Sequence, residues 1–337
     1  KGGNRGVIVI DGGPYANPRF NPFIREIENC LPVDLMILTH FDDDHLIGIK
    51  TFVENHRDDV PFPIKKMWAN CAKHVSFDLS ENLSSNKASK MADILCTISQ
   101  KSQLDWEAYR LNGFVDDTIT FADIEVVNPR KDIFERFIAN YKEKYDCGSS
   151  EENLSNTKNM KSSINVDMHE LAKRDKILGN PDKPSELINM VSLSVMIRCD
   201  VFSILALGDC FPKEIYLSLI ERGYSKENKL QVDFIKMSHH GSAENISNEL
   251  LDIIDCDNFI ITTDGGKGYK HPHREALANV LCHPERDYNR TVHFYFNYPL
   301  KTIVDNREED LFNSELDKCL NFECHEPKET DRFLILP

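Results

Sequence analysis

The fifteen residues Leu35–Ile49, LMILTHFDDDHLIGI, limit what this chain can fold into more than any other stretch. Leu35, Met36, Ile37 and Leu38 form an apolar run that suits a strand buried on both faces. The run stops at Thr39, and the six residues His40–His45 then carry two imidazoles and three carboxylates. Carboxylates packed so closely past a buried strand raise one another's pKa unless they share a cation. The plain alternative is a solvated acidic loop with two incidental histidines. Later segments supply ligands that this stretch lacks, and they favour the shared cation.

Strand and helix signals alternate along the rest of the chain. Val7–Ile10 predicts a strand ending in the turn Asp11-Gly12-Gly13, where glycine permits positive φ or a close backbone approach. Asn21–Cys30 has helical periodicity stopped by Pro32, and Leu46–Phe52 continues the acidic turn as a helix. A helix starting near Asp44 aims the positive end of its dipole at anionic groups. Pro61–Asn70 predicts a strand, Asn86–Gln103 a helix, Phe114–Val127 a hairpin and Lys131–Tyr145 a helix with one apolar stripe. Asp146–Asp167 lacks periodicity and reads as a loop, and Met168–Ile177 as a short charged helix.

Met190–Arg198 and Phe202–Leu207 predict strands, the second ending in Gly208-Asp209-Cys210. Pro212–Arg222 reads as a helix, and the strand Val232–Met237 leads into Ser238-His239-His240-Gly241-Ser242. A helix Ser247–Ile254, a strand Asn258–Thr263, a Gly-rich turn before His271-Pro272-His273, a helix Arg274–Leu281 and a strand Thr291–Tyr298 follow. The tail from Asp305 is acidic, and its apolar Phe333–Leu336 is expected to dock on the body. The class is α/β. One domain, 1–337, is expected, with a helical and loop insertion at about 86–182.

The formal net charge of −15 argues against autonomous binding to long nucleic acid, which needs a basic face to grip phosphates. No apolar run approaches the ~18–20 residues of a membrane-spanning helix. Ten cysteines are present without a CxxC pair, which fits reduced thiols in a cytoplasm better than a disulfide framework. The first residue is Lys1 rather than Met, which leaves room for a natural N-terminus upstream.

Three strand ends therefore release polar ligands: His40/Asp42/Asp44/His45, then Asp209, then His239/His240. Repeating that device is how α/β folds assemble a site at one sheet edge. With these residues in place, the chain resembles the metallo-β-lactamase superfamily. THFDDDH looks like its HxHxDH motif, Gly208-Asp209 like its strand-terminal bridging Asp, His240-Gly241 like its late metal-binding His, and Asp11–Gly13 like its DGG turn. Ser192-Leu193, Gly208-Asp209, His239–Ser242 and His271-Pro272, in that order, make it most similar to the soluble domain of ComEC-type competence proteins.

The resemblance implies a four-layer αβ/βα sandwich, a metal-bound hydroxide as nucleophile, and ligands carried over by position. One metal would be held by Asp44, His45, Asp209 and His240, the other by His40, Asp42 and Asp209, with Asp209 bridging. The superfamily's usual His is replaced by Asp42, and the slot of a further His falls near Asn189. The first metal site is thus rich in oxygen, which favours Mn²⁺ over Zn²⁺.

Asp44 is also expected to orient the nucleophile and take its proton. His239 either orients His240 or touches substrate, and His271 either remains a loop histidine or protonates the leaving group. His273, His293 and His325 read as surface or satisfied histidines. The resemblance tilts the chemistry to phosphodiester cleavage in DNA, RNA or a nucleotide. A partner protein or further domain would supply the basic surface, and an effector role in a prokaryotic defence assembly follows by analogy. An ester or lactone hydrolase, and a degenerate binding module marked by Asp42 and Asn189, are the alternatives.

Overall fold

The computed structural model describes residues 6–327 apart from 18–20, 72–86, 103, 108, 147–162, 175–182 and 267–268. In chain order the first elements are β1 (Ile8–Ile10), α1 (Pro22–Ile27), β2 (Val33–Leu38), α2 (Asp43–His56), β3 (Ile64–Ala69), α3 (Lys87–Lys101), β4 (Asp105–Glu107), β5 (Val115–Asp116), β6 (Asp123–Asn128) and α4 (Lys131–Asp146). There follow α5 (Met168–Ala172), α6 (Pro184–Met190), β7 (Ser194–Arg198), β8 (Ser203–Ala206), α7 (Pro212–Glu221), β9 (Leu230–Gln231) and β10 (Phe234–Lys236). The last are α8 (Asn248–Asp252), β11 (Ile254–Asp255), β12 (Asn258–Ile261), α9 (Arg274–Leu281), β13 (Val292–Phe296), α10 (Leu300–Arg307) and β14 (Phe322–His325). The chain is α/β, built from sheets and helices as the αβ/βα class requires. It divides into two compact units, Lys1–Ser150 with Pro181–Val195, and Glu151–Asn180 with Met196–Pro337.

In the first unit, β1 to β4 lie side by side in sequence order and all pair in parallel. Parallel strands need both faces covered, and β2 complies: Leu35, Met36, Ile37 and Leu38 are fully buried. Leu46, Ile49, Phe52 and Val53 of α2 and Met91, Leu95 and Ile98 of α3 join Met36, Leu38 and Met67 in one core. Parallel order puts every strand's carboxyl end on the same edge, so the turns after β1 and β2 emerge together. β5 and β6 form the expected antiparallel hairpin.

In the second unit the strand order is β14-β13-β12-β10-β8-β7, and β8, β10, β12, β13 and β14 pair in parallel. Phe259, Ile261, Phe294 and Phe296 line its interior with Leu277 and Leu281 of α9. At the start of α9, Arg274 is fully buried. Its guanidinium donates to the Leu311 carbonyl (2.9 Å), to the carbonyls of Val166 (3.1 Å) and Ser163, and to the Asp317 carboxylate (2.9 Å). A buried charge is tolerable only when paired and hydrogen-bonded in this way.

Several expectations need correction. Pro184 starts α6, which ends at Met190, so the strand expected from Met190 begins only at Ser194. α10 runs into the acidic tail and β14 lies within it, and neither was expected. Most of Asp146–Asp167 and all of Phe333–Leu336 lie outside the described residues. Among the described residues, no helix is long and apolar enough to cross a membrane.

One contact locks the turn after β1 onto α2. Gly12 donates its N–H to the His45 carbonyl (2.8 Å), and a Cβ on Gly48 would overlap the Gly12 carbonyl. Alanine in a helix interior is favoured over glycine by about 1 kcal/mol. Gly48→Ala is nevertheless expected to destabilise by roughly 1–3 kcal/mol, because overpacking against backbone outweighs propensity. Urea unfolding of the two proteins checks this, and an unchanged or raised midpoint would show that the turn yields.

Candidate metal centre

The first unit builds its half around the Asp11 carboxylate, which sits in left-handed backbone (φ 59°) at the end of β1. Oδ1 accepts from the Thr39 N–H (2.8 Å), while Oδ2 accepts from the Thr39 hydroxyl (2.9 Å) and faces His45 Nδ1 at 2.7 Å. Burial works to raise the Asp11 carboxyl, but His45 and the Thr39 N–H prevail and hold it below the usual range. A carboxylate only accepts, so His45 carries its proton on Nδ1 and its lone pair on Nε2.

The same logic reaches His40. Thr39 spends its hydroxyl proton on Asp11, so toward His40 Nδ1, 3.1 Å away, its oxygen accepts. The Ser192 hydroxyl lies 3.3 Å from the same nitrogen. Nδ1 of His40 is thus engaged by Thr39 and Ser192, and Nε2 faces Asp42. The two rings are buried with centroids 4.1 Å apart. Asp42 Oδ2 lies 3.5 Å from His40 Nε2, and Asp44 Oδ2 lies 3.7 Å from His45 Nε2. Asp42 precedes α2 and Asp44 sits in its first turn, so both carboxylates stand at the positive end of the helix dipole. Asp43 is exposed in the same turn.

The second unit places its half at the carboxyl ends of β8, β10 and β12. Asp209 is buried after the positive-φ Gly208. His239 (φ 47°) and His240 (φ 57°) are consecutive left-handed residues, followed by Gly241 at φ 83°. Non-glycine residues pay for that conformation, and such strain gathers at functional sites. His240 Nδ1 donates to the Thr262 carbonyl at 2.5 Å, so its lone pair too is on Nε2. His239 Nε2 lies 3.8 Å from Asp209 Oδ2, and its Nδ1 lies 3.2 Å from Asn245 Oδ1.

Asn245 was not singled out from the sequence, yet it ties the second half together. Its Nδ2 donates to the carbonyls of Asp209 (3.0 Å) and Cys210 (3.1 Å) and approaches the Ser238 hydroxyl (3.3 Å). No motif flags it; only its burial, at 2% exposure, marks it. Thr39 and Ser192 play the matching part in the first unit.

His271 is buried, with its ring centroid 5.2 Å from His239 and 6.1 Å from His240. Among the described residues its Nδ1 has no hydrogen-bond partner. Burial first, then the neighbouring His273, His239 and His240, keep its pKa well below the ordinary value, so the ring is neutral at pH 7. His273 is satisfied: Nδ1 accepts from the Ala243 N–H (3.0 Å) and Nε2 faces the Tyr269 carbonyl (2.9 Å).

Each half thus brings imidazole Nε2 lone pairs and carboxylate oxygens to strand ends, a donor chemistry that suits a divalent transition ion. A ligating His normally has its other nitrogen fixed by a carboxylate or carbonyl, as His45 and His240 have.

No protein-family model matches the chain, and no curated protein matches its sequence. Among solved structures it is similar to the CmlA β-hydroxylase E377D mutant, at 10% identity and a TM-score of 0.34, over 74% of this chain and 41% of that one. It is also similar to Zn²⁺-bound PqqB from Methylobacterium extorquens, at 9% identity and a TM-score of 0.34, over 95% of this chain and 79% of that one. The chain spans less than half of the CmlA chain, and neither likeness decides activity or substrate.

Asn245→Ala is expected to cost roughly 2–4 kcal/mol, since several buried groups lose a partner at about 1–3 kcal/mol each and relax only in part. Native-state hydrogen exchange should quicken around 208–211 and 238–242. Unaltered exchange there would show that the two turns do not depend on this amide.

Proposed function

We propose that the chain is a metal-dependent hydrolase that cleaves phosphodiesters. In this reading His40, Asp42, Asp44 and His45 of the first unit would serve as ligands to a divalent ion, and Asp209 and His240 of the second would do the same. The observation that carries it is that Nδ1 of His45 and of His240 is engaged by the Asp11 carboxylate and the Thr262 carbonyl, while Nδ1 of His40 is engaged by Thr39. That commitment orients Nε2 for ligation before any ion arrives.

Divalent ions in such a setting supply Lewis-acid polarisation of the scissile group and an activated water. The chain's own residues do the rest. Asp44 Oδ2 takes the proton of the attacking water, and Asp11 keeps His45 in its tautomer throughout. His239 lies at the rim of its turn, about one third exposed, where it meets substrate. His271, neutral and buried, donates its ring N–H as a hydrogen bond to the leaving-group oxygen.

The oxygen-rich first half favours Mn²⁺ over Zn²⁺. The net charge of −15 selects a nucleotide or short strand unless a partner protein or further domain adds a basic surface. A reducing, cytoplasmic setting and an effector role in a defence assembly belong to the same reading. The charge also favours a second reading, hydrolysis of a small ester or lactone.

A panel of labelled DNA and RNA oligonucleotides, a chromogenic phosphodiester and chromogenic esters, each with Mn²⁺, Zn²⁺ or Mg²⁺, tests this. The expected result is phosphodiester cleavage, fastest with Mn²⁺ and reduced at least about a hundredfold in Asp209→Ala, because stabilisation worth several kcal/mol is lost. Ester turnover alone would transfer the proposal to the second reading, and no turnover with bound metal would end it.

Asp42→His exchanges a hard anionic ligand for a borderline neutral one. It is expected to move the Mn²⁺-to-Zn²⁺ activity ratio toward Zn²⁺ by about tenfold or more, the scale of ligand-sphere changes. An unchanged ratio would show that Asp42 does not touch the metal.

A further inference from the structure

We infer that the outer strands of the second unit carry a separate transition-metal site made by His293, Glu323 and His325. β13 and β14 pair in parallel with His293 opposite Glu323 and Tyr295 opposite His325. Side chains alternate along a strand, so His293 and Tyr295 share one face of β13, and Glu323 and His325 share one face of β14. Val292, Phe294 and Phe296, on the other face of β13, are buried in the core.

Three donor atoms converge on that outward face. His293 Nδ1 lies 3.0 Å from His325 Nε2, His293 Nδ1 lies 3.5 Å from Glu323 Oε2, and His325 Nε2 lies 3.8 Å from Glu323 Oε2. Zinc bonds of about 2.0–2.1 Å in tetrahedral arrangement hold ligand atoms roughly 3.3 Å apart. All three separations lie within about half an ångström of that figure, so one ion fits among them with small side-chain shifts. The His325 ring stacks on Tyr295, centroids 4.5 Å apart and planes 15° apart, which fixes its orientation.

The competing account is a hydrogen bond between two neutral imidazoles with Glu323 in solvent. That account explains the 3.0 Å contact, and it brings Glu323 to both ring nitrogens only when one ring is protonated. An ion explains all three, and the sheet register has already met the entropy cost of gathering the ligands. Two imidazoles and one carboxylate make a borderline set that suits Zn²⁺, Ni²⁺ or Cu²⁺ and not Mg²⁺ or Ca²⁺. The side chains are 29%, 35% and 62% exposed, so water completes the coordination.

The site is distinct from the motif histidines of the same unit. His293 pairs with Asn258 at the start of β12, whereas Thr262, the partner of His240, follows that strand's end. β14 stands at the end of the strand order, so the ion would staple this edge strand to its neighbour.

Equilibrium dialysis of the full chain against Zn²⁺, followed by elemental analysis, tests the site in the parent and in Asp209→Ala. In each background His325→Ala is expected to hold one equivalent less, and Glu323→Gln to bind that equivalent at least about tenfold more weakly. Glu323 is exposed and Gln is isosteric, so the second variant decides the matter if the first does not fold. Equal Zn²⁺ content and affinity in parent and Glu323→Gln, or no bound Zn²⁺ in the parent, would overturn the inference. Neither result depends on catalysis, so loss of the hydrolase reading leaves this one standing.

Discussion

The Asp11 carboxylate is the constraint on which the first unit's arrangement depends. It accepts from the Thr39 N–H and hydroxyl and from His45, and so joins the end of β1, the end of β2 and the first turn of α2. Its backbone stands at φ 59°, a conformation that costs an ordinary residue about 1–3 kcal/mol. Hydrogen bonds to a charged group, at about 1.5–3 kcal/mol each, offset that strain. Gly12 and Gly48 let the backbones close enough for the bonds to form. A turn, a helix and the tautomer of His45 are thereby one decision.

The second unit reaches a similar end by different means. Its imidazole is held by a backbone carbonyl, and its loops by the neutral amide of Asn245. Four of the five non-glycine residues with positive φ among those described, Asp11, His239, His240 and Lys270, lie in the motif turns. Strain distributed in this way directs side chains that regular strands could not direct.

What was legible in the sequence was whatever leaves a period or a cluster. β2 announced itself because a strand covered on both faces has no polar position to blur it, and α9 matched its expected bounds because helical spacing continues to Leu281. The residues with metal chemistry stood out because such side chains rarely crowd without a reason. Asn245, Thr39 and Ser192 did not stand out: a lone polar residue has no spacing to read, and its importance comes from contacts across the fold. α6 and β14 were missed because each is too short for a period, and β14 alternates acid and apolar residues within an acidic tail. His293 and His325 looked incidental because only strand register, which sequence hides, brings them together.

Buried Arg274 sets an order of events during synthesis. Its carboxylate partner Asp317 lies forty-three residues downstream, and the Leu311 carbonyl thirty-seven. Until those residues are made, α9 has a guanidinium that cannot enter the core without its counter-charge. At about 5–20 residues per second the ribosome needs roughly 2–9 s to cover that gap. For that interval the guanidinium beside Leu277 and Leu281 lacks the partners it has in the finished core. The buried end of α9 therefore gains its counter-charge only from the C-terminal segment.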